Sequence, residues 1–203
     1  MKKLLFLAFA TLGVSNAFSQ SFMHGAGVGI YVDKVENMDA RLSFAFTYSP
    51  RFNFVETESM SVSVGIPISL GFSGSYNYSY NSRDDYGYGN ETNTLGFMFN
   101  APLMVNLNLG AGSTKANRKR IGYFVGGGFG YHYSASTDAE YYDENGDLAT
   151  THQEGSATGP AANAGMRIRV GGGGKAVEAR LSYFKGISGS KLSLYGMGAA
   201  FNF

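Results

Sequence analysis

Large and small residues alternate without a break in the stretch MSVSVGIPISLGF, which covers Met60 to Phe72. Successive side chains of a β-strand point to opposite faces, so a strand here would gather all the large residues on one face. That face would hold Met60, Val62, Val64, Ile66, Ile68, Leu70 and Phe72. The other face would hold only serine, glycine and proline, which carry no charge. A half-exposed strand in a water-soluble sheet normally shows polar or charged residues to the solvent, so this pattern strongly limits the possible folds.

The same two-residue period can be followed eight times along the chain. It covers residues 22–32, 41–50, 60–80, 95–109, 121–133, 162–170, 177–183 and 195–203. No helical period competes with it, so we predict an all-β fold. The two longest connections, 81–93 and 135–156, both follow odd-numbered strands. Long loops at one end and short turns at the other are typical of an eight-stranded antiparallel transmembrane β-barrel, built as an up-and-down meander.

The distribution of charge distinguishes a membrane barrel from a water-soluble one. Residues 59–82, 92–114, 121–137 and 155–166 contain no Asp, Glu, Lys or Arg. A charge on a lipid-facing position near the bilayer midplane costs about 2–4 kcal/mol. In a soluble sheet, by contrast, such long charge-free strands would invite aggregation through the sheet edges. We therefore expect the large apolar rows to face lipid and the small rows to line a narrow lumen.

Three prolines fall within the predicted strands, at Pro67, Pro102 and Pro160. Proline has no backbone N–H, so each of them removes one donor from the hydrogen-bond ladder of the sheet. We therefore expect β-bulges near these three positions.

The first residues have the order of a secretory signal peptide. Lys2 and Lys3 precede an apolar segment that is too short to span a bilayer, and small residues follow up to Ala17. We predict a signal peptide over residues 1–17, with cleavage after residue 17 or as late as residue 20. The barrel domain is then predicted over residues 18–203.

The overall composition excludes several classes of protein. The formal net charge is +1, whereas a nucleic-acid-binding protein needs a basic face. The chain has no cysteine, which excludes disulfides, a lipid-modified cysteine, thiolate metal sites and a cysteine nucleophile. After residue 17 there is no run of eighteen apolar residues, so no transmembrane helix is predicted.

The last nine residues, YGMGAAFNF, alternate up to a terminal phenylalanine. They are similar to the C-terminal signal by which outer-membrane proteins are recognised for assembly, with matches at Tyr195, Met197, Ala199, Phe201 and Phe203. Together with the strand pattern, they make the chain resemble the small eight-stranded outer-membrane barrels of the OmpA and OmpX type. The resemblance implies a location in the bacterial outer membrane, with both termini in the periplasm. The implied partners are outer-membrane lipid and the assembly machinery, and we expect a monomer without a cofactor.

Four charged residues share the inward-facing parity of the sixth and seventh predicted strands. They are Arg167, Arg169, Glu178 and Arg180. A tight turn between the two strands would place Arg167 or Arg169 opposite Glu178. One interpretation is a structural ion cluster, because the interior of eight strands is just wide enough for its own side chains. The other is a gate whose opening would create a narrow, anion-preferring path.

The longest predicted loop is acidic. Asp143, Asn145, Asp147 and Glu154 match positions one, three, five and twelve of a calcium-binding loop, but a leucine occupies the position that needs glycine. The same segment contains an Asn-Gly pair, which is a common two-residue hairpin turn. Two hypotheses stay open: a hairpin that extends above the membrane, and an acidic rim that binds divalent cations weakly.

The turn predicted after the fourth strand is basic. It carries Lys115, Arg118, Lys119 and Arg120. Such a run is usually solvated, and contact with anionic phospholipid headgroups is the second interpretation.

Catalytic residues are not recognisable in the sequence. His24, His132 and His152 lie far apart in the predicted strand order, and no serine occupies a recognised nucleophile motif. We therefore predict a non-enzymatic outer-membrane barrel with a structural and surface-interaction role, which displays acidic extracellular loops. One alternative is a narrow porin-like channel for small solutes or ions. Another is an outer-membrane lipid enzyme or protease, since the fold alone does not decide the function.

Overall fold

The computed structural model describes residues 21–35, 40–80, 89–137, 140–142, 148–150, 153–189 and 191–203, and these residues form β-strands joined by turns. The strands are β1 (Ser21–Met23), β2 (Gly25–Val35), β3 (Arg41–Tyr48), β4 (Arg51–Glu56), β5 (Met60–Gly65), β6 (Ile68–Tyr80), β7 (Gly89–Gly110), β8 (Ile121–Thr137), β9 (Glu140–Tyr142), β10 (Leu148–Thr150), β11 (Gln153–Arg169), β12 (Ala176–Lys185), β13 (Ser188–Gly189) and β14 (Leu192–Asn202). Within these ranges, the structure has no helix with the length and apolar character needed to cross a membrane.

The strands close into a barrel with eight positions around its wall. Three wall strands are interrupted and consist of two successive segments each: β1 with β2, β3 with β4, and β5 with β6. The other five wall strands are β7, β8, β11, β12 and β14. Each wall strand pairs antiparallel with the next one along the chain, and β14 pairs with β2 over eleven residues, from Leu192 opposite Val35 to Asn202 opposite Gly25. The predicted eight-stranded up-and-down barrel is therefore confirmed.

The two ends of the barrel differ in their connections. The short connections 57–59, 111–120 and 170–175 all lie at one end, which we call the turn end. Ser21 and Phe203 also lie at the turn end. The opposite end, which we call the loop end, carries the other connections and the small hairpin of β9 and β10.

Several strands are longer than the sequence predicted, mostly toward the loop end. β7 begins at Gly89 instead of residue 95, and β11 begins at Gln153 instead of residue 162. Both strands keep an unbroken register with their neighbours across the added residues. The strands therefore extend into the predicted loops 81–93 and 135–156, because the backbone hydrogen-bond ladder continues past the last residue of the apolar alternation.

The sequence pattern predicts a connection over residues 51–59, between the predicted strands 41–50 and 60–80, and this prediction is wrong because Arg51 to Glu56 forms β4. Tyr48 lies opposite Ile68 and Arg51 lies opposite Gly65, so β4 continues the alignment of β3 on the neighbouring wall strand. Arg51 and Asn53 are buried inside the barrel, as the alternation of burial along β4 shows. The wall is therefore longer at the turn end than expected, and an arginine enters the lumen there.

Of the bulges expected near the three prolines, only the one near Pro160 has a counterpart. On one edge of β11 the register with β8 continues through Pro160, but on the other edge Ala161 lies opposite Phe184 and Thr158 opposite Ser188, so residues 159–160 face the three residues 185–187. β7 continues through Pro102 without a register shift. At Pro67 the strand is interrupted between β5 and β6, but both segments keep the same alignment with β7, which places Pro67 opposite Pro102. A further register shift lies between Asn53 and Val55, away from the prolines.

Large apolar side chains cover the outside of the barrel. The outward residues of β7 and β8 include Leu95, Leu103, Val105, Leu107, Leu109, Ile121, Tyr123, Val125, Phe129 and Tyr131, and all of them are exposed. Leu95 is 73% exposed and Phe72 is 67% exposed. Monomeric soluble proteins rarely expose a continuous apolar surface of this size, which is typical of a surface that contacts lipid or another protein. The predicted apolar outer face is therefore observed.

Candidate functional site

An ion cluster centred on Glu178 lies inside the barrel near the turn end. The register of β11 and β12 places Arg167 directly opposite Glu178. Arg167 Nε donates to Glu178 Oε2 over 2.7 Å, and Arg180 donates to Glu178 Oε1 from Nε over 2.7 Å and from Nη2 over 2.6 Å. Asn202 Nδ2 adds a longer bond of 3.2 Å to Oε2. Both carboxylate oxygens of the fully buried Glu178 are thus satisfied, as a buried charge requires.

The guanidinium of Arg167 has further partners on β7 and β8. Its Nη1 donates to Asn108 Oδ1 on β7 over 2.8 Å. Its Cζ lies 4.3 Å from the centre of the Phe124 ring on β8, a cation–π distance. The ring itself depends on Gly165, because a Cβ at that position would lie 2.5 Å from Phe124 Cζ. The cluster therefore joins the four consecutive wall strands β7, β8, β11 and β12 from inside the lumen.

The composition of the cluster differs from the sequence prediction at two positions. Arg167, Glu178 and Arg180 come together, but Arg169 does not join them, because its Nε donates to the carbonyl oxygen of Gly171 at the exposed turn end. Arg51 was not expected in the lumen, yet it is buried there. Arginine at position 51 could have been recognised from the alternation RFNF, in which Arg51 and Asn53 share one face, but the preceding proline suggested a turn.

The connection 111–120, which we call the plug turn, folds across the opening of the lumen. Ala111, Ser113, Thr114 and Asn117 are all buried although they lie in a turn. Arg51 Nη2 donates to the carbonyl oxygen of Gly112 over 2.5 Å.

The carbonyl oxygen of Ser113 accepts two hydrogen bonds from the neighbouring strands β4 and β5. Asn53 Nδ2 donates to it over 3.1 Å, and Ser61 Oγ donates to it over 2.7 Å. The plug turn also meets the wall on its other side, because a Cβ on Gly174 would lie 3.2 Å from Lys115 Cα. The turn leaves the wall between β7 and β8 and is held by β4, β5 and the turn before β12. It therefore closes the turn end of the lumen.

Asn53 is one of three side chains that hold the plug turn, and its replacement by leucine should weaken the barrel. Its Nδ2 also donates to Glu56 Oε1 over 2.7 Å, so the change removes the donor for a carboxylate as well as for a buried carbonyl oxygen. We expect the free energy of unfolding to fall by about 1–3 kcal/mol in a urea titration. Ser61→Ala is the matched variant and should cost less, because it removes one hydrogen bond to the same carbonyl and a longer one of 3.3 Å from Asn108 Nδ2, which keeps its bond to Ser63 Oγ. Equal effects of the two changes would contradict this role for Asn53.

Apolar side chains fill the lumen toward the loop end. They form one buried cluster of Tyr31, Ala45, Met98, Met104, Ala157, Ala161, Phe184, Leu192 and Leu194. Phe184 and Leu194 lie opposite each other on β12 and β14, and both are at most 2% exposed. The sequence analysis did not recognise this layer, although continuing the inward parity of β12 past Ser182 leads to Phe184. We call this cluster the apolar layer.

A small cavity separates the apolar layer from the ion cluster. Its lining includes Ser69, Asn100 and Asn163, with Arg180 on one side and Phe184 on the other. The volume open to the centres of water molecules is about 20 Å³. One water needs roughly 10–15 Å³ by this measure, so the cavity has room for one or two waters.

The two histidines that the structure describes lie on opposite faces of the wall. His132 is fully buried against Phe184, with 6.0 Å between the ring centres, whereas His24 lies on the outer surface and shares a hydrogen bond with Tyr48. His152 lies outside the described residues. Among the residues that the structure describes, no group of three His, Cys, Asp or Glu side chains could hold a metal ion.

The other predicted site residues are on the outer wall or outside the described part of the chain. Tyr195, Met197, Ala199 and Phe201 all point outward from β14, and the exposed Phe203 follows that strand. The calcium candidates Asp143, Asn145 and Asp147 lie outside the described residues, and Glu154 is described only as a backbone position of β11 opposite Ala135. Calcium binding by this segment stays a prediction.

The fold resembles that of known membrane barrels, although the sequence does not match theirs closely. No family model matches the chain, and no curated protein matches it. The solved structure of Ail, the attachment invasion locus protein of Yersinia pestis, superposes with a TM-score of 0.52 at 11% identity, over 91% of this chain and 98% of that one. Neisserial surface protein A gives a TM-score of 0.50 at 10% identity over the same shares. The chain has the fold of the small eight-stranded outer-membrane barrels.

Proposed function

We propose that this protein is a closed outer-membrane barrel whose wall and lumen serve as a scaffold and whose loops carry out its interactions. The observation that carries the proposal is the filled lumen. The apolar layer closes it toward the loop end, and the ion cluster and the plug turn close it toward the turn end. A lumen that is blocked at successive levels does not offer a path for solutes.

The exposed apolar surface supports the membrane location. Outward positions along β7 and β8 carry Leu, Val, Phe, Ile and Tyr, whereas the charged cluster is entirely inside. A soluble protein has its charged side chains outside and its apolar side chains inside. The opposite arrangement seen here fits a protein surrounded by hydrocarbon. Because we propose an outer-membrane location, we also assign the turn end to the periplasm and the loop end to the cell exterior. The outward row that ends in Phe203 is then available to the assembly machinery before the barrel closes.

The loop end is the part of the molecule left for contacts with partners. The segment 138–154 contains six acidic residues and no Lys or Arg. A surface of this charge favours cationic partners and disfavours anionic ones, and its effect decreases with ionic strength. The role we propose is therefore structural and surface-interacting, with the acidic loops as the contact region.

Electrical conductance of the refolded chain in a planar bilayer tests the proposal. We expect no discrete channels, because the cavity that we observe has room for only one or two waters. Heat-modifiable migration on a gel must first show that the barrel has folded, so that silence is informative. Discrete channels from a folded barrel would contradict the closed lumen and favour the narrow porin-like alternative.

The absence of cysteine allows a second test of the same closure. A cysteine introduced at Ser63, which is fully buried on the lumen side of β5, should react slowly with a membrane-impermeant thiol reagent. A cysteine introduced at Lys119, an exposed position of the plug turn, should react rapidly and serves as the control. Equal rates for both positions in the folded barrel would show that water and reagent enter the lumen.

A further inference from the structure

The turn end carries a group of exposed basic side chains that no feature described above explains. Four lie in the plug turn and two flank the turn between β11 and β12. They are Lys115, Arg118, Lys119, Arg120, Arg169 and Lys175, and we call them the basic face. All are exposed except Arg169, which is partly buried.

Backbone contacts hold the two turns side by side. Arg169 N donates to the carbonyl oxygen of Arg120 over 2.9 Å, and Val170 N donates to that of Lys175 over 3.1 Å. The close approach of Gly174 to Lys115 joins the turns at a second point. The six cations therefore belong to one rigid surface, and the two turns do not present them independently.

The described residues do not neutralise this surface. Among the described residues, the ion pairs join Arg41 to Asp33 and Glu178 to Arg167 and Arg180. None of these pairs includes a residue of the basic face. Near the turn end, Glu56 accepts hydrogen bonds from Ser21 and Asn53 instead. Glu58 is also exposed beside the plug turn, where its carbonyl oxygen accepts a hydrogen bond from Asn117 Nδ2. The six cations outnumber these two carboxylates, so the basic face keeps a net positive field, which attracts anions over roughly a Debye length of 8–10 Å.

The basic face begins where the apolar outer surface ends. Arg120 immediately precedes Ile121, which is 51% exposed on the outside of β8. Arg169 lies between Ile168 and Val170, and both of these side chains are exposed on the outside of the wall. Long arginine and lysine side chains at such a border extend to the level of the lipid headgroups while the neighbouring residues contact acyl chains.

We propose that the basic face binds the phosphates of anionic phospholipids in the leaflet at the turn end. The proposal rests on the membrane location proposed above. Charge complementarity and the border position both favour a lipid surface over a soluble acidic partner. Each Lys or Arg close to an anionic membrane surface favours binding about fivefold, so a group of six can select anionic over zwitterionic lipid even if only some of them are engaged.

Lipid selectivity can be measured with the whole barrel, refolded into vesicles of phosphatidylcholine and phosphatidylglycerol that contain spin-labelled lipid. The ratio of immobilised to mobile lipid gives the relative association of the two headgroups with the barrel. We expect phosphatidylglycerol to be preferred about two- to fivefold at low salt, and the preference to approach unity at 1 M salt. The triple variant Arg118→Gln, Lys119→Gln, Arg120→Gln should lose most of the preference.

A charge-matched variant at the loop end is the control. Lys34→Gln, Lys185→Gln, Lys191→Gln removes three exposed cations there, where the acidic loops already lower the positive field, and should keep most of the preference. An equal loss in both triple variants, or a preference that salt does not reduce, would overturn the proposal. So would binding of soluble polyglutamate to the basic face without any lipid preference. The absence of any immobilised lipid would instead contradict the membrane location.

Discussion

Replacing Glu178 with glutamine is expected to lower the free energy of unfolding by about 3–5 kcal/mol. Glu178 is the carboxylate that both Arg167 and Arg180 contact, at 2.7 and 2.6 Å. Without its charge, two guanidiniums stay in a buried site with only neutral partners. Urea titration of the refolded barrel measures the change, and a shifted midpoint with an unchanged slope would show that stability alone is altered.

Two comparison variants make the prediction specific to the cluster. Arg169→Gln removes a cation that lies on the same strand as Arg167 but does not contact Glu178. It should change stability by no more than about 0.5 kcal/mol. Combining Glu178→Gln with Arg167→Met removes one of the stranded charges, so the double variant should lose less than the sum of the two single changes. Additive losses, or equal losses for Glu178 and Arg169, would show that the cluster is not a coupled unit.

The wall of the barrel could be predicted from sequence because every strand must meet the same physical requirement. A lipid-facing wall needs an apolar residue at alternate positions and no charge, and β7 meets this from Leu95 to Leu109. The strand ends could not be predicted in the same way. Beyond the apolar region the ladder from Gly89 to Thr94 is held by backbone hydrogen bonds, which do not depend on the side-chain pattern.

The lumen was predictable only in part. Parity placed Arg167, Glu178 and Arg180 on one face, and the register then brought them together. Parity also assigned Arg169 to that face, but its position at the end of β11 lets the side chain reach the exposed Gly171 carbonyl.

The plug turn could not be predicted, because the alternation of large and small residues along two strands does not determine the path of the turn between them. A ten-residue connection with four basic side chains looks like a solvated turn. In the structure its first half contributes buried backbone carbonyls to the lumen, as Gly112 and Ser113 show, while its second half is exposed apart from Asn117. The buried donors that it meets, Arg51 and Asn53, belong to β4, which lies between two predicted strands and outside the alternation that identifies them.

An arginine at Val105 is expected to cost about 2–4 kcal/mol if the outer surface faces hydrocarbon. Val105 points outward near the middle of the apolar surface and is 49% exposed, so the new side chain meets no steric conflict within the barrel. The solvent alone then determines its cost. In water an exposed Val→Arg change would alter stability by only a few tenths of a kcal/mol. The free energy of unfolding in lipid vesicles, measured by urea titration, reports the difference.

Leu109→Arg on the same strand is the matched control. Leu109 also points outward, but it lies one residue from the end of β7, beside the turn that leads to the basic face. At this depth an arginine reaches the headgroups, and its cost should fall to about 0–1 kcal/mol. A large cost at Val105 and a small one at Leu109 would define the depth of the hydrocarbon around the barrel. Small and equal costs at both positions would mean that the apolar surface is covered by something other than lipid.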